Sequence, residues 1–390
     1  MNETFQIVSR VPDLGPIPEY LKPENAARAR RFHETIPGYA PTPLVALDDT
    51  ARALGVGKIW VKDESKRFGL NAFKVLGGSW AMAQLLAKLL EIENPDFPLL
   101  AAPETREKLG DITFVTATDG NHGRGVAWSA AQFGQKSVVY MPAGSARERL
   151  ENIRSAGAEA TIIDGNYDDA VRLAAKQAKE KGWLLVQDTA WEGYTQILRW
   201  IMEGYCTMGL EALEQLEEAP THIFLQAGVG SMAGAMAGLF TAALKEKPTI
   251  VIVEPNKADC IFRTARANDG QLHTVTGPMD TIMAGLACGE PCSIGWEVLK
   301  STANHFISCP DSAAAHGMVL LAENHIVSGE SGAAAFGCAA AILKNPKLAA
   351  MKEALGLNGA SRLLFISTEG DTDRENYRAI TREGRFSPNF

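Results

Sequence analysis

The sequence lacks the features that would place the protein in a membrane or on a nucleic acid. No apolar run approaches the roughly 20 residues that a membrane helix needs, and the most apolar helical stretch covers only residues 231–244. Acidic residues outnumber basic ones by 46 to 38, and the net charge of −8 includes no basic stripe. We therefore expect neither a membrane nor a nucleic-acid partner.

Cysteine is too sparse for a disulfide framework and too scattered for a zinc site. The six cysteines form no CxxC pair, and no histidine stands at zinc-ligand spacing from them. We expect no metal site and reduced thiols in a cytoplasmic enzyme, although one bridge from Cys260 to Cys288 or Cys292 stays open. The N-terminal segment carries acids and lacks an apolar core, so no signal peptide is expected.

The pattern that is present is an alternation of short β-type runs with longer helical runs. Strands are predicted at 58–62, 113–117, 137–141, 159–163, 184–187, 222–226, 249–253 and 363–367. Helices are predicted between them, at 76–90, 123–133, 147–156, 167–181 and 233–245. This order predicts an α/β fold with mostly parallel, twisted sheets flanked by helices. The chain exceeds the size that one core serves and has no flexible tether, so we expect two interleaved domains.

A lysine in an apolar context is the first candidate for chemistry. The strand that ends near Lys62 leads through a polar loop to Asn-Ala-Phe-Lys-Val-Leu-Gly-Gly, in which Lys74 has apolar neighbours. Desolvation would lower the pKa of this amine and free it to form an imine. Gly77 and Gly78 weaken the helix, so they indicate close approach of another backbone or a ligand. The plainer interpretation is one more solvated helix lysine.

This segment resembles the lysine segment of fold-type II pyridoxal-phosphate enzymes, which have the tryptophan synthase β-like fold. The resemblance implies that pyridoxal 5'-phosphate is bound covalently by Lys74. It also implies a larger cofactor-binding domain at 1–92 and 190–390, a smaller domain at 93–189 and an active site in the cleft between them. The family further suggests a homodimer.

A second candidate is the turn Thr-Asp-Gly-Asn-His-Gly, which runs from a strand into a helix at residues 118–123. Two glycines at a helix N-terminus would present bare amides to an anion such as a substrate carboxylate. Asn121 offers a donor and an acceptor, which suits a phenolic ring oxygen, and Asp119 is a candidate acid or base. The plainer interpretation is that Thr118 or Asp119 caps the helix.

This turn resembles the Gly-Asn-His loop that binds the substrate carboxylate and the cofactor ring oxygen in fold-type II enzymes. The resemblance assigns substrate contacts to Thr118, Asp119, Gly120 and His122, and a cofactor contact to Asn121. Most members have Ser where this chain has Asp119. An aspartate there is similar to the 2,3-diaminopropionate ammonia-lyases of the family.

A glycine-rich turn follows the strand at 222–226 and opens a helix. Backbone amides in such a turn bind phosphate, and the family resemblance makes the five residues Gly228, Val229, Gly230, Ser231 and Met232 the phosphate loop. The rival interpretation is a nicotinamide dinucleotide site with Glu254 as the ribose-binding acid. Against it, the glycine spacing is one residue longer than the dinucleotide fingerprint.

Two further positions depend on the resemblance. Asp188, after the strand at 184–187, matches an active-site aspartate of the diaminopropionate ammonia-lyases. Thr368, or alternatively Ser367, matches the neutral hydroxyl that fold-type II enzymes present to the cofactor's pyridine nitrogen. The bland interpretation of Asp188 is a helix N-cap.

Together these residues predict a lyase that acts on a small amino acid. The resemblance implies elimination of ammonia from D- and L-2,3-diaminopropionate, with Asp119 serving the D-isomer and Lys74 the L-isomer. A like charge from Asp188, or burial, should raise the pKa of Asp119. The alternatives are a serine or threonine dehydratase of the same fold and a nicotinamide-dependent oxidoreductase. Side activity on D-serine is compatible with the first interpretation.

Overall fold

The structure is a computed structural model that describes residues 4–13, 15–118 and 120–387, so Asp119 lies outside the described residues. Its strands are β1 Gln6–Ser9, β2 Leu44–Ala46, β3 Lys58–Asp63, β4 Thr113–Ala117, β5 Lys136–Met141, β6 Glu159–Ile162, β7 Leu184–Leu185, β8 His222–Gln226, β9 Thr249–Pro255, β10 His305–Cys309 and β11 Arg362–Ser367. Its α-helices are α1 Pro23–Glu34, α2 Asp48–Leu54, α3 Val75–Leu89, α4 Phe97–Leu100, α5 Pro103–Leu109, α6 Asn121–Gln132, α7 Arg147–Ser155, α8 Tyr167–Lys181, α9 Gln196–Gln215, α10 Ser231–Ala243, α11 Cys260–Ala267, α12 Ser293–Thr302, α13 Asp311–Glu323, α14 Glu330–Lys344, α15 Ala349–Ala354 and α16 Arg374–Thr381. Short 3-10 helices lie at Glu19–Leu21, Glu64–Gly69, Ala284–Leu286 and Pro346–Leu348.

The chain forms two compact units that interleave along the sequence. Unit 1 comprises Met1–Lys22, Thr42–Lys66 and Glu211–Phe390, and unit 2 comprises Pro23–Pro41 and Arg67–Leu210. The fold class expected from the sequence, α/β with mostly parallel sheets, is confirmed by both units. The domain boundaries expected at 92/93 and 189/190 stay a prediction, and the compact units differ from them by including 23–41, 67–92 and 190–210 in unit 2. The helices α3 and α9 account for the last two of these differences, because a Cβ on Gly77 would lie only 2.5 Å from the Tyr205 ring.

Unit 1 is built on a seven-stranded sheet in the order β1-β10-β9-β8-β11-β3-β2. The central strands are parallel, while β1 and β2 join the two edges antiparallel. The strands β8 and β11 are neighbours, with Phe224 opposite Phe365. Since the carboxyl ends of parallel neighbours meet at one edge of a sheet, the turn after β8 and the segment after β11 lie at the same edge. These are the predicted phosphate loop and Thr368.

Unit 2 is built on a four-stranded, wholly parallel sheet in the order β6-β5-β4-β7. Helices α6 and α7 cover one face through a cluster that includes Val139 and Ile153. Helix α8 covers the other face with the stripe Ala170, Ala174 and Ala178, which packs on Val115. The strands β4 and β7 are neighbours, so the turn at 118–123 and the residues after β7 share one edge of this sheet.

The predicted elements agree closely with those observed, and the differences have local causes. Helix α8 has the predicted bounds, because a reciprocal cap joins Asn166 to Asp169 and Gly182 ends the helix in the left-handed conformation. Strand β7 is shorter than predicted, since the amide of Gln187 donates to the Tyr194 hydroxyl instead of to β4. The sequence did not predict β1, β2 and β10, which are short and, in β1 and β10, interrupted by polar residues.

Candidate active site

Lys74 stands at the start of α3 and is not a solvated helix lysine. It occupies the N-cap position, and its side chain is 20% exposed between the buried residues Phe73 and Val75. Its ammonium group donates a hydrogen bond to Asp188 Oδ2. The close approach of another backbone predicted near Gly77 is confirmed, because a Cβ on Gly204 of α9 would lie only 2.9 Å from the Gly77 Cα. The lysine is therefore fixed in place by packing and by an ion pair.

Asp188 follows β7 and is buried, with its side chain 6% exposed. One carboxylate oxygen, Oδ2, pairs with Lys74, and His122 Nδ1 lies 3.9 Å from the same oxygen. Burial raises the pKa of Asp188, but the charges of His122 and Lys74 outweigh it and lower the pKa to about 2. Asp188 is therefore a carboxylate at neutral pH and is not available as a proton donor.

The lowered pKa of Asp188 predicts how the stability of the folded protein depends on pH. A carboxyl whose pKa falls on folding adds stability above its ordinary value of 3.8, and this stability is lost as the pH falls towards about 2. We expect cofactor-free wild type to be more stable than Asp188→Asn at pH 6. This gap in the free energy of unfolding should shrink by about 1 kcal/mol at pH 3. Urea denaturation of both proteins measures it, and a gap that is equal at the two pH values would contradict the ion pair.

The turn between β4 and α6 is held by Thr118. Its hydroxyl oxygen accepts hydrogen bonds from the amide of Gly120, at 2.9 Å, and from the amide of Gly123, at 3.1 Å. The two glycine amides are thus engaged within the turn, and the expectation that both are bare donors was wrong. Thr118 is not the N-cap of α6, which is Gly120. Its hydroxyl oxygen still accepts from the Gly123 amide in the first turn of the helix, where intrahelical partners are lacking.

The two residues that follow Gly120 begin α6. Asn121 is the first residue of the helix and is partly exposed. His122 is buried, and its Nε2 donates to the carbonyl oxygen of Val186 at 2.7 Å. This bond leaves Nδ1 as the nitrogen that faces Asp188. The predicted residues Lys74, His122 and Asp188 are thus brought together.

The sequence did not predict two polar residues beside Asp188. Gln187 is fully buried, and its Nε2 donates to Asp188 Oδ1 at 3.3 Å and to the Tyr167 hydroxyl at 3.0 Å. Tyr167, the first residue of α8, donates its hydroxyl proton to the same Oδ1 at 3.4 Å. Gln187 Oε1 accepts from the amide of Ala117 at 2.9 Å, which ties this network to the strand that carries the turn at 118–123.

The glycine-rich turn of unit 1 has the geometry of an anion-binding loop. It joins β8 to α10, and Gly230 is its N-cap with φ +95°, a left-handed conformation that favours glycine. Ser231 and Met232 form the first turn of α10 and are buried, while Val229 is partly exposed. A helix of 13 residues directs its positive end at this turn. The five predicted loop residues therefore lie together at the end of one strand.

The dinucleotide alternative fails at Glu254. This residue is fully buried in β9, and its carboxylate accepts the amides of Ile261, at 2.8 Å, and Phe262, at 2.6 Å. It therefore caps the start of α11 from inside the sheet. Burial raises the pKa of Glu254 well above its usual range. A side chain that is enclosed and engaged in this way is not presented to a ribose, so the ribose-binding interpretation was wrong.

The two hydroxyls at the end of β11 have different partners. Ser367 donates to the hydroxyl of Ser328 at 2.7 Å, whereas the Thr368 hydroxyl oxygen accepts from Gln226 Nε2 at 3.0 Å. The Thr368 proton is thus directed to some other acceptor, because its oxygen already accepts the amide proton of Gln226. The choice of Thr368 over Ser367 as the partner of the pyridine nitrogen stays a prediction. The contact between Gln226 and Thr368 favours it.

Other kinds of site are not found among the described residues. All six cysteines are described, and each is a free thiol rather than half of a disulfide. No group of three or more His, Cys, Asp or Glu side chains in the described ranges could hold a metal ion. Across those same ranges, every helix is too short or too polar to cross a bilayer.

Comparison with known proteins agrees with this geometry. The family described as pyridoxal-phosphate dependent enzyme matches residues 35–368. The diaminopropionate ammonia-lyase of Escherichia coli strain K12 is 52% identical over 372 residues, which cover 93% of this chain and 92% of the relative. A crystal structure of the Escherichia coli enzyme in complex with D-serine superposes with a TM-score of 0.92, at 48% identity and 98% coverage of both chains. A structure of that enzyme with an aminoacrylate-PLP azomethine reaction intermediate has a TM-score of 0.89, at 47% identity and 99% coverage of both.

A family match over most of the chain, combined with a relative of more than half identity, is decisive for membership. The lysine, the turn at 118–123 and the glycine-rich turn on which the sequence resemblance rested all lie within the matched range. The chain belongs to the pyridoxal-phosphate dependent enzymes and, among them, to the diaminopropionate ammonia-lyase family.

Proposed function

We propose that the protein eliminates ammonia from both enantiomers of 2,3-diaminopropionate. The product, aminoacrylate, takes up water and yields pyruvate and a second ammonia. One observation carries the choice of substrate: Asp188 pairs with a primary alkylammonium, that of Lys74. The β-ammonium of the substrate is the same chemical group, and an ionised, buried carboxylate is suited to hold it.

The chain's residues fit pyridoxal phosphate, which needs a primary amine for its aldehyde carbon and a cradle of donors for its phosphate. Lys74 offers the amine, and the segment 228–232 at the start of α10 offers the cradle. We assign Asn121 to the ring oxygen and Thr368 to the pyridine nitrogen. When bound, the cofactor supplies an electron sink that makes the Cα proton of the substrate acidic.

Two residues would take that proton, one for each enantiomer. Lys74 has a primary amine that can act as a base once it has exchanged with the substrate's amine. Asp119, in the turn before α6, is the base assigned to the D-isomer. The turn is anchored by Thr118, whose hydroxyl accepts the Gly120 amide directly after Asp119. Thr118, Gly120 and His122 are proposed to shape the turn that receives the substrate carboxylate, because the Gly120 amide and His122 Nε2 are already engaged within the protein.

The leaving group needs no separate acid under this proposal. Ammonia departs from Cβ only when the β-amine carries a proton, and near neutral pH an alkylammonium already carries it. Asp188, with its pKa near 2, stays ionised and favours the charged form of that amine. Its part is therefore to hold and orient the leaving group rather than to protonate it.

The same contact disfavours a serine or threonine dehydratase as the main activity. A β-hydroxyl carries no charge, so a desolvated carboxylate gains less from it than from an ammonium. D-serine remains a reasonable slow substrate, since its hydroxyl can donate one hydrogen bond to Asp188.

Product stoichiometry tests the proposed function. Purified protein loaded with pyridoxal phosphate should form one pyruvate and two ammonia from each molecule of D- or L-2,3-diaminopropionate. Lactate dehydrogenase and glutamate dehydrogenase assays measure the two products. Formation of pyruvate from serine or threonine at a higher kcat/KM than from diaminopropionate would favour the dehydratase instead.

Because each enantiomer is assigned a different base, Asp119 for the D-isomer and Lys74 for the L-isomer, the effect of a substitution should depend on the isomer. We expect Asp119→Asn to lower kcat/KM for the D-isomer by about 10²-fold or more, because an amide cannot accept the Cα proton. The L-isomer should lose less than about tenfold. Pyruvate formation from each pure enantiomer measures both effects, and equal losses on the two isomers would remove Asp119 from its assigned role.

Location and assembly complete the proposal. Six free thiols, five of them buried, are consistent with a reducing compartment such as the cytoplasm. A homodimer is proposed on the family resemblance alone.

A further inference from the structure

We propose that Tyr167 and Gln187 are positioning residues that hold Asp188 for an ammonium group and thereby set the preference for a β-amino over a β-hydroxy substrate. The proposal deepens the function proposed above and rests on it. It concerns Oδ1 of Asp188, since Oδ2 is the oxygen that accepts from Lys74.

The two oxygens of Asp188 have different surroundings. Oδ2 accepts from the Lys74 ammonium and lies near the His122 ring. Oδ1 accepts from two neutral donors, the Tyr167 hydroxyl at 3.4 Å and Gln187 Nε2 at 3.3 Å. A carboxylate that is held at one oxygen by two donors cannot rotate freely. The other oxygen is therefore kept towards the cation.

The direction of the Tyr167 proton is set by Gln187. Gln187 Nε2 donates to the Tyr167 oxygen at 3.0 Å, so the tyrosine proton is left to point at Asp188. The amide of Gln187 is itself fixed, because its Oε1 accepts from Thr116 Oγ1 and from the Ala117 amide. Bonds of this kind polarise one another, so the two residues act as one unit.

The network also joins two parts of the candidate site. Gln187 binds the last residues of β4, from which the turn at 118–123 departs, and it precedes Asp188 in the chain. A single buried amide therefore fixes both the strand that carries the proposed carboxylate-binding turn and the carboxylate for the β-amine. This arrangement fixes the distance between the proposed carboxylate-binding turn and Asp188. A bound 2,3-diamino acid must span that distance.

The titratable groups that face Asp188 come from five elements or segments. They are Lys74 before α3, His122 in α6, Tyr167 in α8, Tyr205 in α9 and Tyr194 after β7. Burial raises the pKa of both Tyr194 and Tyr205, so these hydroxyls stay neutral. Tyr167 and Gln187 thus add neutral donors to a carboxylate whose cations lie on its other side.

Tyr167→Phe tests the proposal, because it removes the hydroxyl and keeps the ring. We expect kcat/KM for 2,3-diaminopropionate to fall about tenfold, as for the loss of one hydrogen bond to a charged group. The dissociation constant of alanine, which has no β-amine, should change less than twofold when it is read from the absorption spectrum of the loaded enzyme. The control is Tyr140→Phe, a partly buried tyrosine of β5, and it should leave both quantities unchanged.

Gln187→Glu is the second variant. It tests the same positioning role if circular dichroism shows that Tyr167→Phe does not fold. It keeps the acceptor for Thr116 and Ala117 but donates to neither Tyr167 nor Asp188. It should likewise lower kcat/KM for the diamino acid by tenfold or more and spare alanine binding. Equal losses for the two ligands, no loss for either, or an equal loss in Tyr140→Phe would overturn the proposal. Wild type that forms no pyruvate from diaminopropionate would instead overturn the proposed function.

Discussion

Replacement of Lys74 by alanine is expected to abolish the lyase activity. The variant loses the amine that would bind the cofactor and the base that would serve the L-isomer. We therefore expect kcat to fall by at least about 10³-fold. It should also lose the visible absorption of the lysine-bound cofactor, which a spectrum of the loaded protein measures.

The matched control for this prediction is Lys88→Ala, which changes an exposed lysine of the same helix, α3. It should keep both the spectrum and the activity. Lys74→Ala that retains the visible band and more than a tenth of wild-type kcat would contradict the role of Lys74. Removal of the Lys74 ammonium also takes one cation from the buried Asp188, so the variant should be checked for native circular dichroism.

The second large effect is expected for Asp188→Asn. The substitution keeps the shape but removes the charge that pairs with an alkylammonium. We expect kcat/KM for 2,3-diaminopropionate to fall by about 10²–10³-fold, since breaking a buried ion pair costs several kcal/mol. The reaction with D-serine should fall less than about tenfold, because its hydroxyl carries no charge. Pyruvate formation from the two substrates measures the ratio.

Asp164→Asn, which changes an exposed aspartate of the same unit, is the control and should behave as wild type. An Asp188→Asn variant that loses both reactions to the same extent would show that Asp188 does not recognise the β-amine. Its effect would then be on the folding of the site or on Lys74 alone.

The elements that position the site were predictable, since their signals are local. Asn166, Asp169 and Gly182 mark the ends of α8 by capping chemistry. An apolar context and a pair of glycines marked the start of α3 and its close packing against Tyr205. The family resemblance then supplied the roles of the residues that follow these elements.

The contacts around Asp188 were not predictable, because they depend on tertiary structure. Tyr167 and Asp188 are 21 residues apart in the sequence, and the packing of α8 on the sheet brings them together. For Glu254, in contrast, the sequence suggested a role that the residue does not have. Its place at the end of a strand after a glycine-rich turn is typical of a ribose-binding acid, and only the structure reveals that it caps α11. A sequence pattern indicates where a side chain stands on an element but not which groups satisfy it.

The most direct test of the account is to locate the bound cofactor by chemical trapping. Loaded wild type is reduced with borohydride, digested and analysed by mass spectrometry. The account predicts one pyridoxyl group per chain, on Lys74, with loss of the visible absorption and of pyruvate formation from diaminopropionate. A pyridoxyl group on another lysine, such as the buried Lys62, or no modification of a protein that still forms pyruvate, would contradict it.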